Sequence, residues 1–169
     1  MEEQKEASMV QSTFNYGIML GLAMTIFYIL IWMVDMLLES YMGYVNYAIL
    51  LAGIILSTKA YRDIIPGRMM SYGRALGTGL LVSLFSSIVL GLFMYALYKF
   101  IDPGLIEKTI AESARTLYEQ GLSDEQIEIT QQMQERFVTP FTVAAGTVFQ
   151  ITFIGFIFSL ITSIFLKRN

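Results

Sequence analysis

The chain has 169 residues, 55% of them hydrophobic, a formal charge of −3, and neither cysteine nor histidine. The missing thiols and imidazoles exclude disulfides, Cys- or His-ligated zinc, thiolate nucleophiles and a histidine general base. No basic patch stands apart from the segments that flank apolar runs, so a nucleic-acid role is not expected.

Residues 1–13 are polar and net acidic. A secretory leader would open with a basic stretch and a shorter apolar core, so the apolar run that follows reads as a retained anchor. That first span covers 14–34. Gly17, Gly21 and Thr25 recur along it every four residues, a spacing that lets two helix backbones approach closely within a membrane. Trp32 and Asp35 mark its exit, and the short connection behind it carries no Lys or Arg.

The second span covers 41–58. Tyr41, Tyr44 and Tyr47 suit the headgroup zone, and Asn46 just inside suggests an interhelical hydrogen bond. Residues 59–74 then form a basic loop with Lys59, Arg62, Arg68 and Arg74 against one acid, Asp63. Pro66-Gly67 signals a turn and Ser71 is placed to cap the next helix. By the positive-inside rule this loop is cytoplasmic, and Lys167 and Arg168 agree, two spans later. Both termini are then expected inside. Arg62, Arg68 and Arg74 are also candidate contacts for anionic lipid.

The third span, 75–98, is roughly 36 Å long at the rise of an α-helix. It places Ala75, Gly79, Ser83, Ser87 and Gly91 at every fourth position. Such a row drifts around the helix, so three of the five are expected to share one contact. The fourth span, 141–166, repeats the rhythm with Gly155, Ser159 and Ser163. It also carries Gln150, whose amide needs a partner in hydrocarbon; a serine of the third span is expected to supply it. None of the four ranges contains Asp, Glu, Lys, Arg, His or an internal Pro, which disfavours a proton-coupled or ion-pumping carrier.

Between the third and fourth spans lies the long polar segment 102–139, with eight acidic residues and three basic, a net −5. It reads as an extramembrane helical hairpin. Asp102-Pro103 is expected to open its first helix. Ile106, Ile110 and Leu117 share one face of that helix, with Ala114 nearby, opposite Lys108, Glu112, Arg115 and Glu119. Gly121 supplies the stop, and Ser123 with Gln126 the capping box of a second helix. Its apolar face is weaker: Ile127, Thr130, Met133 or Gln134, and Phe137. Thr139-Pro140 ends it and restarts the chain. The carboxylates are spread around the helices and lack the order of a calcium loop. No metal, cofactor or catalytic site is expected.

The fold class is therefore an all-α membrane protein, a single membrane domain of four transmembrane helices with the hairpin between the third and fourth. In order and spacing, NYGIMLGLAMTIFYIL (15–30), KAYRD (59–63), SYGRALGTGLLVSLFSSIV (71–89), KFIDPGLIEKTIAES (99–113) and GLSDEQIE (121–128) resemble the bacterial family called domain of unknown function 4199 (DUF4199). The Thr-Pro opening of the last span completes the resemblance. It implies a four-helix protein of the bacterial inner membrane with no established activity and no assigned catalytic residues; the positive-inside rule places the hairpin on the periplasmic side.

The expected function is a non-enzymatic accessory or scaffold subunit. A membrane or periplasmic partner would dock on Glu112, Arg115, Glu119, Asp124 and Glu128. Gly17, Gly21, Gly79, Ser83, Ser87, Gly91, Gly155 and Ser159 would pack helices within one chain, against a partner or in a homo-oligomer, with lipid around them. The alternative is a small oligomeric transporter or lipid-linked-sugar translocator lined by Ser83, Ser86, Ser87, Gln150 and Ser159. An enzyme built on the scattered carboxylates is not expected.

Overall fold

The computed structural model describes residues 2–65 and 70–167. The expected Pro66-Gly67 turn, Arg68 and Arg168 lie outside the described residues. Every element described is helical: α1 (Glu2–Met33), α2 (Ser40–Ile64), α3 (Tyr72–Ala96) running into a π-helical turn (Leu97–Ile101), α4 (Leu105–Glu119), α5 (Asp124–Phe137) and α6 (Pro140–Leu166). The chain falls into two compact units, Met1–Leu90 with Val148–Asn169, and Gly91–Thr147.

Four helices are long and apolar enough to cross a membrane: Val10–Met33, Tyr41–Ile64, Tyr72–Ile101 and Pro140–Leu166. The last three include their expected spans and extend beyond them; the first starts earlier than expected, at Val10, and ends one residue short of Val34. The largest excess is in α2, which runs to Ile64 and takes Lys59, Arg62 and Asp63 into its last turns. The basic loop is correspondingly shorter than 59–74. Nothing in KAYRD breaks a helix, whereas Pro66 disfavours helical backbone at the residue before it. Ile65 is accordingly extended, at φ −73° and ψ 132°.

In the first unit α1, α2, α3 and α6 pack by close backbone approach. A Cβ on Gly17 would fall 2.5 Å from Phe85 Cβ, and one on Gly21 would fall 3.0 Å from the Ser86 carbonyl oxygen. Positions thus advance together along α1 and α3, which run parallel. Gly53 of α2 sits under the side chain of Leu20, and Gly79 of α3 lies against Ile54 of α2. The outward faces carry bare apolar side chains such as Met19, Ile26, Leu56 and Phe165. A water-soluble bundle rarely exposes so many together.

α1 ends in a Schellman motif. Asp35 takes the left-handed conformation at φ 60°, and the N–H groups of Met36 and Asp35 return to the carbonyls of Ile31 and Trp32.

The second unit contains the α4–α5 hairpin. Its first helix begins later than the Asp102-Pro103 reading has it. Leu105 is the first residue of α4, and Gly104 precedes it without a side-chain cap. Asp102 instead accepts the Leu105 N–H on its backbone carbonyl at 3.1 Å, while its carboxylate lies 3.6 Å from Lys108 Nζ. The π-helical turn explains the shift, because its widened winding ties the Asp102 N–H to the Leu97 carbonyl at 2.8 Å. The other signals hold. Gly121 has φ 83° and closes α4 with the same two-bond motif, and Ser123 and Gln126 form the reciprocal capping box of α5. Thr139 and Thr142 cap α6 reciprocally, Thr139 N–H to Thr142 Oγ1 at 2.8 Å and Thr142 N–H to Thr139 Oγ1 at 3.2 Å.

Gly121→Ala is expected to cost about 1–2 kcal/mol, the penalty for placing a Cβ in left-handed backbone. It should appear as faster amide exchange across α5, with exchange in α1 and α2 unchanged.

Candidate functional site

The strongest constellation is the seam between α3 and α6. Gly79 faces Ser159, Ser83 faces Gly155, and the Ser87 hydroxyl hydrogen-bonds Thr152 Oγ1 at 2.9 Å. Position rises on α3 as it falls on α6, so the two helices are antiparallel and held in one register. Each close pair sets a glycine against a serine. A Cβ on Gly155 would collide with the Ser83 side chain, and a Cβ on Gly79 with that of Ser159. Three of the five small residues on α3 meet α6, the number that helical drift allows. Gly17 and Gly21 do the same work between α1 and α3, while Gly91 is buried in the second unit.

The serines of this seam are satisfied locally. Ser83 Oγ donates to the Gly79 carbonyl at 2.8 Å, Ser86 Oγ to the Ser83 carbonyl at 3.0 Å, and Ser159 Oγ to the Gly155 carbonyl at 2.7 Å. Back-bonding of this kind lets a hydroxyl sit in an apolar interior without an open bond. Among the described residues of the first unit, three buried side-chain oxygens remain without a partner, Asn46 Oδ1, Thr58 Oγ1 and Ser163 Oγ. The hydrogen bond expected of Asn46 is therefore missing at that oxygen.

Gln150 needs a correction. Its amide donates to the Tyr47 hydroxyl at 2.5 Å, not to a serine of α3. The residue sits on the exposed side of α6, whereas the α3 serines face positions 152, 155 and 159. Thr152 is the seam residue that sequence reading missed; it lies between Gly155 and the Gln150 that drew attention for its polarity. Of the basic candidates, Arg62 keeps a buried Nε 3.7 Å from Asp63 Oδ1, and Arg74 is half-buried.

In the hairpin, Leu105 and Ile110 are the buried residues of α4; Ile106 and Leu117 are only half-buried. On α5 the inward residue is Gln134, whose amide donates to Ser113 Oγ at 2.8 Å while its Oε1 is buried without a partner. Met133 is 57% and Phe137 67% exposed, so Phe137 does not belong to the internal face expected of it. With Gln134 turned toward Ser113, the row Ile129, Met133 and Phe137 is exposed. Among the charged candidates, Arg115 and Glu119 pair at 3.2 Å along α4, and Glu128 accepts from Gln132 at 3.4 Å. Glu112 is half-buried, and Asp124 stands in the first turn of α5, where its charge suits the helix dipole. Among the described residues, no three carboxylates gather as a metal site.

Gly155→Ser is expected to destabilise the bundle by about 1–3 kcal/mol through overpacking against Ser83. Adding Ser83→Gly exchanges the two partners and should recover most of the loss. Thermal unfolding of the four variants in one detergent checks this coupling.

No curated protein and no solved structure matches the chain. A family model does match, over residues 15–168, which takes in all four apolar helices and the hairpin. The chain belongs to the family described as protein of unknown function DUF4199.

Proposed function

We propose that this protein is a non-enzymatic scaffold subunit of a bacterial inner-membrane assembly, a four-helix anchor that presents the acidic α4–α5 hairpin to a protein partner. The observation that carries this reading is the contrast between the seam and the hairpin. The seam's small residues lie in mutual contact and its hydroxyls are bonded to backbone or to each other. The hairpin is doubly capped and keeps Arg115, Glu119, Asp124 and Glu128 exposed. A rigid, capped element with an exposed acidic face suits a partner with a basic surface, since complementary charge steers encounter and fixes register.

The same seam weighs against translocation, because Ser83, Ser87 and Ser159 are engaged in helix contacts and are not free to line a path. The basic residues Lys59, Arg62 and Arg74 favour an orientation with both termini cytoplasmic and the hairpin periplasmic.

Two experiments test this. With Ser123→Cys and Ser71→Cys introduced singly into a chain that has no cysteine, an impermeant thiol reagent on intact cells should label position 123 and spare 71. The reverse pattern overturns the orientation. Glu112→Lys with Glu119→Lys should lower recovery of co-purifying protein about tenfold, a loss of one to two kcal/mol in charge complementarity. Unchanged recovery removes the hairpin as the docking surface.

A further inference from the structure

We propose that a groove at the junction of α5 and α6 takes an acyl chain of a membrane phospholipid; the inference rests on α6 being membrane-spanning, as read above. The groove has a volume of about 480 Å³, inside the range of roughly 300–1,000 Å³ common to small-molecule sites. Its walls come from α5 (Thr130, Met133, Gln134, Phe137) and from the start of α6 (Thr142, Val143).

Three observations select a lipid chain as occupant. No wall residue is ionisable, the amide nitrogen of Gln134 is bonded to Ser113, and the Thr130 and Thr142 hydroxyls donate to the Gln126 and Phe137 carbonyls. Gln134 Oε1 is an open acceptor in a lining otherwise made of apolar side chains, which gives a charged ligand or peptide little to bind. Second, the α6 wall is the first turn of a helix apolar enough to cross a membrane, so the groove begins where that helix enters its lipid surroundings. Third, the exposed apolar row Ile129, Met133 and Phe137 beside the groove is followed on α6 by exposed Phe141, Phe149 and Phe153. The acidic residues of α5, Asp124, Glu125, Glu128 and Glu135, are absent from that lining and are exposed.

The test is photolabelling of the full chain in nanodiscs of phosphatidylcholine that carries a diazirine near the end of one acyl chain, with adducts mapped by mass spectrometry. Adducts are expected at Phe149 and Phe153, which report lipid contact by α6, and at Met133, Phe137 and Val143. Val143→Phe narrows the groove and should lower adducts at Met133 and Phe137 roughly tenfold, the loss for displacing about two buried methylenes, while those at Phe149 stay constant. Labelling at Phe149 without labelling in the groove, or groove adducts that Val143→Phe leaves unchanged, overturns the proposal and leaves the membrane reading intact. Links from the groove to a second copy of the chain also overturn it. Absence of labelling at Phe149 and Phe153 removes the membrane reading, and the proposal with it.

Discussion

The structure of the first unit depends on how closely two backbones can approach along α3 and α6. In lipid, apolar side chains gain little by leaving acyl chains for each other, so association rests on packing and on hydrogen bonds. Packing at short range requires side chains small enough to let backbones meet. Alternation of glycine and serine across the seam meets that requirement and also fixes register. Sliding α3 by one turn would set Ser83 against Ser159, two side chains where the observed register sets one against a glycine. The hydroxyls bond back to carbonyls one turn earlier, so the seam can form without leaving open donors. Through Gly17 and Gly21 α3 also receives α1, and Gly53 brings α2 against Leu20 of α1.

The hairpin obeys different rules. It is held by local signals, a left-handed glycine, a capping box and paired charges, together with the Gln134–Ser113 and Tyr98–Thr109 hydrogen bonds. Each is modest, and exposed ion pairs such as Arg115–Glu119 contribute little in water. Their common effect is to fix where the two helices begin and end, and hence which residues face out. That division supports the functional reading. A bundle closed by small residues gives an anchor, and a locally specified hairpin gives a shaped, charged surface.

The sequence by itself determined the number and approximate extent of the apolar helices, the hairpin between the third and fourth, the caps at Ser71, Ser123 and Thr139, and the stop at Gly121. It also marked the small residues that meet in the seam. These properties are local or periodic: a cap acts within four residues, and a run of apolar side chains is visible as a run. Where one local rule competed with another, the reading failed. At Asp102-Pro103 a capping signal lost to the π-helical winding behind it, and at KAYRD a charge-rich stretch was taken for loop although the helix continues through it to Ile64.

Pairing was left to the tertiary structure. The partner of Gln150 is Tyr47, and that of Ser87 is Thr152, because rotation about α6 decides which residues look toward α2 and which toward α3. The sequence places Gln150 and Thr152 two residues apart, and a helix turns them about 200° from each other. In the same way the exposure of Met133 and Phe137 goes with a contact between Gln134 and Ser113, residues 21 apart in the chain. Helix existence is a property of segments; rotation, register and the faces left exposed are properties of contacts between them, and only the folded chain contains those.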